Sequence, residues 1–144
     1  MNTPPVIAVQ PYLFFEGRCE EAIEFYRKAI GAEIVMLMRF KESPDQSMCA
    51  PGTGEKIMHA TLKAGPSLFM LSDGRCGGKQ TYDGFALSVS AADEAGAQKM
   101  FTALSEGGKA TMPLTKTFFS PAFGMLTDKF GVGWMVIVHS MPPA

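Results

Sequence analysis

Residues 19–30 read CEEAIEFYRKAI, and residues 93–106 read DEAGAQKMFTALSE. Both have helical spacing. In the first, Ala22, Ile23, Tyr26, Ala29 and Ile30 form one apolar stripe, and Glu20, Glu21, Glu24, Arg27 and Lys28 lie mostly off it. Acidic residues come early and basic ones late, as the helix dipole favours. Gly31 is placed to stop the helix. In the second, the stripe is Ala97, Met100, Phe101 and Leu104, ended by Gly107-Gly108. The two are displaced by about 75 positions, Ala22 matching Ala97 and Tyr26 matching Phe101, so one order of elements is expected twice.

The flanking segments fill in that order. Val6–Phe15 is rich in β-formers and predicts a strand, with Pro11 at a kink or edge position. Glu33–Phe40 predicts a second strand, and residues 41–56, with two Pro and two Gly, a loop. Ile57–Ala64 and Ser67–Ser72 predict a hairpin across Gly65-Pro66. Residues 73–83 read as a linker. Gly84–Ser90, Lys109–Leu114, Ala122–Thr127 and Val132–His139 predict strands, the last two joined by a type I turn from Asp128 to Gly131. The pattern is βαβββ twice: a single α+β domain over 1–144, with module one at about 6–73, a linker at about 74–82 and module two at about 83–140. A four-stranded sheet with one helix has one face covered. Two such modules are expected to form a cupped mixed sheet, a natural small-molecule site.

Composition removes several function classes. The chain has 144 residues, 47% of them hydrophobic, with 13 Lys+Arg against 14 Asp+Glu. A net charge of −1 supplies no field for nucleic acid or an anionic membrane. Cys19, Cys49 and Cys76 show no CxxC spacing and fit a reducing compartment. The start, MNTPP, has no basic or apolar region of a signal peptide, and no apolar run reaches a membrane span, so a cytoplasmic protein is expected. Eleven Met and eleven Phe suit either a soft core or an apolar pocket. No GxSxG, HExxH, P-loop or zinc-knuckle spacing is present, nor a glycine-rich strand-to-helix loop for a nucleoside cofactor.

Five stretches carry a resemblance: residues 11–15 (PYLFF), 21–26 (EAIEFY, before Gly31), 58–60 (MHA), 71–73 (LSD) and 126–135 (LTDKFGVGWM). Together they resemble the PhnB-like branch of the vicinal oxygen chelate superfamily, which includes glyoxalase I, extradiol dioxygenases and antibiotic-resistance proteins. The resemblance implies a homodimer. It also implies a divalent ion held by one side chain from the first and last strand of each module. Those positions fall here at Gln10 or Pro11, Met70 or Leu71, Gly84 and Met135, of which only Gln10 offers an oxygen. No cofactor and no metal at these positions is therefore expected, while a divalent ion at other positions stays open.

Of the two histidines, His139 ends the last strand and reads as surface. His59 shares a strand face with Ile57, Thr61 and Lys63, opposite Met58, Ala60 and Leu62. It is expected on the cup side, as an acid–base group or a hydrogen-bonded structural histidine. Asp73 accepts from His59 or orients a ligand, or else starts a turn with Gly74. Trp134 and Met135 alternate, so one of them faces the cup. Phe118 and Phe119 stand in a loop as a lid, a partner surface or an anchor. Cys19 begins a helix, but Glu20 and Glu21 oppose thiolate formation there. The expected function is small-molecule binding without the usual metal, by Gln10, Tyr12, His59, Phe69, Leu71, Phe118, Phe119, Trp134 or Met135. The alternative is a lyase or isomerase using His59, helped by Asp73 or Gln10.

Overall fold

A computed structural model describes residues 7–43, 52–74 and 80–139. Cys49 and Cys76 lie outside the described residues. The chain divides into two compact units, Met1–Ile23 with Ala32–Gly78 and Glu24–Gly31 with Lys79–Ala144. The elements are β1 (Tyr12–Phe14), α1 (Cys19–Ile30), β2 (Glu33–Arg39), β3 (Ile57–Ala64), β4 (Ser67–Ser72), β5 (Leu87–Ala91), α2 (Glu94–Ser105), β6 (Lys109–Thr115), β7 (Phe123–Thr127) and β8 (Gly133–Val138).

The βαβββ order does occur twice, and the pairing repeats with it. One sheet runs β1-β4-β3-β2 and the other β5-β8-β7-β6. In each, the first strand lies parallel to the last and the remaining pairs are antiparallel. The hairpin β3–β4 pairs Ala64 with Ser67 across Gly65-Pro66 as expected.

Helix α1 matches its predicted span. Cys19, Ala22, Ile23, Tyr26 and Ala29 are buried, while Glu20, Glu21, Glu24, Arg27 and Lys28 are exposed. Gly31 stops it at φ +70°, a conformation that costs an L side chain and not glycine. Helix α2 starts at Asp93, whose carboxylate accepts from the Gly96 amide at 2.7 Å, and packs on all four strands of the second sheet. Gly124 on β7 permits that packing: a Cβ there would stand 2.7 Å from the Phe101 ring and 2.9 Å from the Leu114 backbone.

Two strands are shorter than their composition predicts. β1 holds only Tyr12–Phe14, and Ile7 and Val9 are more than nine-tenths exposed. Pro11 has no amide to donate. Its carbonyl accepts from Met70 at 2.9 Å, and pairing starts there. β5 begins at Leu87 because Gly84 has φ +82°, outside strand geometry. The expected loop after β2 opens with a 3-10 turn at Phe40–Glu42 that buries Phe40.

Candidate functional site

Register assigns the faces of the first sheet. Tyr12 on β1, Met70 on β4, Thr61 on β3 and Met36 on β2 are successive partners and share one face. His59 lies opposite Met38 on the same face. This face is open: Tyr12 is 40% exposed, Phe14 43% and Met36 42%. The opposite face carries Leu13, Ala60, Leu62, Phe69 and Leu71, all buried.

Three polar side chains meet on the open face. The Tyr12 hydroxyl is 2.9 Å from Nδ1 of His59, and the Thr61 hydroxyl is 3.0 Å from Nε2. Both ring nitrogens are thus engaged by groups that can donate or accept. The Tyr12 ring stacks on Phe14 with centroids 5.0 Å apart and 20° between planes, and tilts against His59 at 5.6 Å. Burial is the main cause that raises the Tyr12 phenol above its ordinary value. The site is therefore an apolar floor of aromatic rings and methionines around one imidazole bracketed by two hydroxyls.

The structure brings Tyr12 and His59 together, and within the same unit it places Phe69, Leu71 and Asp73 away from them. Gln10 precedes β1 and is exposed. Phe69 and Leu71 are corrected to the buried face, since period-two alternation puts them opposite Met70. Asp73 is 1% exposed and does not reach His59. Its Oδ1 accepts from the amides of Gly17 at 2.7 Å and Cys19 at 2.8 Å, and its Oδ2 from the amide of Ile57 at 2.8 Å. It ties the start of α1 and the start of β3 to the end of β4. Burial pushes the Cys19 thiol well up, with the charges of Asp73 and Glu20 adding, so the helix start generates no thiolate.

In the second unit Trp134 and Met135 take opposite faces. Trp134 is 3% exposed and donates Nε1–H to Asp128 at 2.9 Å. Met135 is half-buried, opposite Ser88 on β5 and Met125 on β7. The turn at Asp128 closes as expected, Gly131 donating to the Asp128 carbonyl at 2.9 Å. Its carboxylate is buried and also accepts from the Tyr26 hydroxyl at 2.6 Å and the amides of Phe130 and Val132. Burial, then the Asp128 charge, raises the Tyr26 phenol well above its ordinary value. Phe118 is fully exposed, and Phe119 stacks edge-on against Phe123 at 5.0 Å. His139 is exposed.

Sequence reasoning passed over Phe14 and Met36. The signal was present: in Tyr12-Leu13-Phe14 the outer residues alternate onto one face.

The divalent ion implied by the superfamily resemblance does not fit the residues at its ligand positions. Met70 and Met135 offer soft thioethers, Gly84 offers no side chain, and the remaining position offers one amide oxygen from Gln10. Among the described residues, no three His, Cys, Asp or Glu side chains group as metal ligands. Among them, too, no helix is long and apolar enough to cross a membrane.

A family model described as 3-demethylubiquinone-9 3-methyltransferase matches residues 7–137. The chain is 34% identical to Protein YjdN of Escherichia coli strain K12, over 94% of this chain and 97% of that protein. Protein PA1353 from Pseudomonas aeruginosa superposes with a TM-score of 0.83 at 36% identity, covering 93% of this chain and 98% of that one. The "putative 3-demethylubiquinone-9 3-methyltransferase, PhnB protein" from Bacillus cereus gives 0.76 at 32% identity, over 90% and 98%. For the fold alone, a glyoxylase/bleomycin resistance protein/dioxygenase domain from Frankia sp. EAN1pec gives 0.68 at 13% identity, over 95% and 100%. The two repeated modules, their register and these matches together make this chain a member of the PhnB-like family, with the glyoxalase/bleomycin resistance/dioxygenase fold.

Proposed function

We propose that this chain binds a small, largely apolar molecule on the open face of its first sheet, without a divalent ion at the superfamily's ligand positions. The observation that carries the reading is the exposed Tyr12–Phe14 stack beside a half-buried His59 whose ring nitrogens are both engaged. A stacked aromatic pair left at a sheet surface offers a flat ligand a ready platform. Methyl transfer gains no support from the sequence, which lacks a glycine-rich loop for a nucleoside cofactor. A homodimer belongs to the same proposal. Ile34, Val35 and Met36 on the edge strand β2 are all exposed, and a partner chain would cover them.

A second reading makes His59 a general base in a lyase or isomerase. Its support is the hydrogen bond to a phenol on an accessible face, which gives a proton somewhere to go.

Native mass spectrometry of protein purified without chelator, set against the denatured mass, tests both. A dimer of metal-free chains that retains or accepts an aromatic compound is the expected result. A stoichiometric divalent ion would overturn the metal-free reading and bring the enzyme forward.

A further inference from the structure

The arrangement of hydrogens around His59 specifies the ligand more closely. A neutral imidazole has one N–H and one bare nitrogen. The two hydroxyls at 2.9 and 3.0 Å must then differ: one accepts from the ring and the other donates to it. Only one O–H is left to point away. In the imidazolium both nitrogens donate, both hydroxyl oxygens accept, and the hydrogens of Tyr12 and Thr61 are both released. Protonation therefore adds a positive charge and raises the free O–H donors from one to two.

Among the described residues of the first unit, few charged groups face His59. On β3, Lys63 shares this face. On β2, Met36 and Met38 face the site, Glu33 lies opposite Lys63, and Arg39 is bound to Glu20 and to the Glu55 carbonyl. On β4, the residues nearest in register are Met70 and Ser72, and the Ser72 hydroxyl also reaches the Tyr12 phenol oxygen, so it competes with a ligand for the Tyr12 O–H. Beyond β1, the Glu16 carboxyl lies near the Phe14 ring across Gly74, and on α1 the protonated Cys19 thiol lies near Tyr12.

We propose, resting on the binding reading above, that Tyr12, His59 and Thr61 form a proton-linked anchor for an anionic oxygen. The ligand class is a flat aromatic body bearing a carboxylate or phenolate. The ring lies against Tyr12 and Phe14, the anionic oxygen accepts from the Tyr12 hydroxyl, and His59 takes one proton from solvent as the ligand binds. No bond in the ligand is made or broken.

Calorimetry with 2-naphthoate and its neutral analogue 2-naphthalenemethanol tests this, at about pH 7.5 in phosphate and in Tris. The acid is expected to bind about tenfold more tightly than the alcohol, the discrimination one hydrogen bond to a charged group supplies. Its apparent enthalpy should differ between the buffers in the direction of proton uptake. In His59→Gln that uptake should vanish, and in Thr61→Val the preference for the acid should shrink; urea unfolding confirms that each variant is folded. Equal affinity for the two probes, or uptake that survives in His59→Gln, overturns the anchor while the binding reading stands. Failure of both probes at millimolar concentration overturns both.

Discussion

The two sheets share one plan and differ in what they do with it. Each ends a strand in a buried aspartate, Asp73 after β4 and Asp128 after β7. Asp73 accepts three hydrogen bonds, all from backbone amides, whereas Asp128 accepts four, two of them from the Tyr26 and Trp134 side chains. The open faces differ too. The first carries a histidine between two hydroxyls. The second carries Ser88, Met125 and Met135, with Lys109 opposite Thr127 at its edge strand. A repeated scaffold thus sets a histidine between two hydroxyls on one module's open face, while the other gathers polar side chains around a buried aspartate. Repetition of topology does not entail repetition of function.

Removing the aspartates should give the largest effects. Asp128→Ala strands a buried phenol and a buried indole N–H together with two turn amides, and is expected to cost about 3–5 kcal/mol. Asp73→Ala strands three amides and is expected to cost about 2–4 kcal/mol. Urea unfolding gives both values, and a larger loss at Asp73 would reverse the comparison.

Next in size is Tyr26→Phe, which deletes one donor to a buried carboxylate and should cost about 1–2 kcal/mol. It also carries a pH signature. The raised values of Cys19 and Tyr26 mean that the folded state holds protons the unfolded chain releases above its ordinary thiol and phenol values, 9.0 and 10.0. Stability is therefore full below about pH 9 and falls as pH rises beyond it. The alkaline fall should be smaller in Tyr26→Phe and in Cys19→Ala. An unchanged alkaline profile in both would mean that neither group is held protonated by the fold.

The helices, the β3–β4 hairpin and the repeat were legible because their signals are local. Amphipathic spacing set the stripe of α1, and two strands flanking Gly65-Pro66 set the hairpin. β1 was over-read because β-forming composition says nothing of a pairing partner, and Pro11 cannot donate to one. The histidine's face was legible from alternation within its own strand. The face of Phe69 and Leu71 was legible as well: the β3–β4 hairpin pairs Phe69 with Leu62 and Leu71 with Ala60, on the face opposite His59, whereas their place beside β1 depends on a parallel pairing about 58 residues away in sequence. Asp73 was open between two roles because its three donors come from Gly17, Cys19 and Ile57, brought together only by the fold.

The smallest effect expected separates two exposed phenylalanines, one from each unit. Phe14 sits on a strand and stacks on Tyr12; Phe118 stands fully exposed on the loop between β6 and β7. Phe118 meets the Phe119 ring edge-on at 5.1 Å, but polar bonds also hold that loop. The Thr117 amide donates to the Ser120 carbonyl at 2.9 Å, and the buried Ser120 hydroxyl bonds the carbonyls of Ala122 and Val138. Phe118→Ser should therefore leave stability within about 0.5 kcal/mol of the parent. Phe14→Ser removes a stacked partner, should cost about 1 kcal/mol, and should weaken 2-naphthoate binding. If Phe118→Ser cost as much as Phe14→Ser, the loop ring would be a structural anchor, and Ser120 alone would not account for the loop's shape. If instead Phe118→Ser weakened naphthoate binding with stability unchanged, the ligand platform would have to include the second unit, and the division of labour between the two modules would fail at that point.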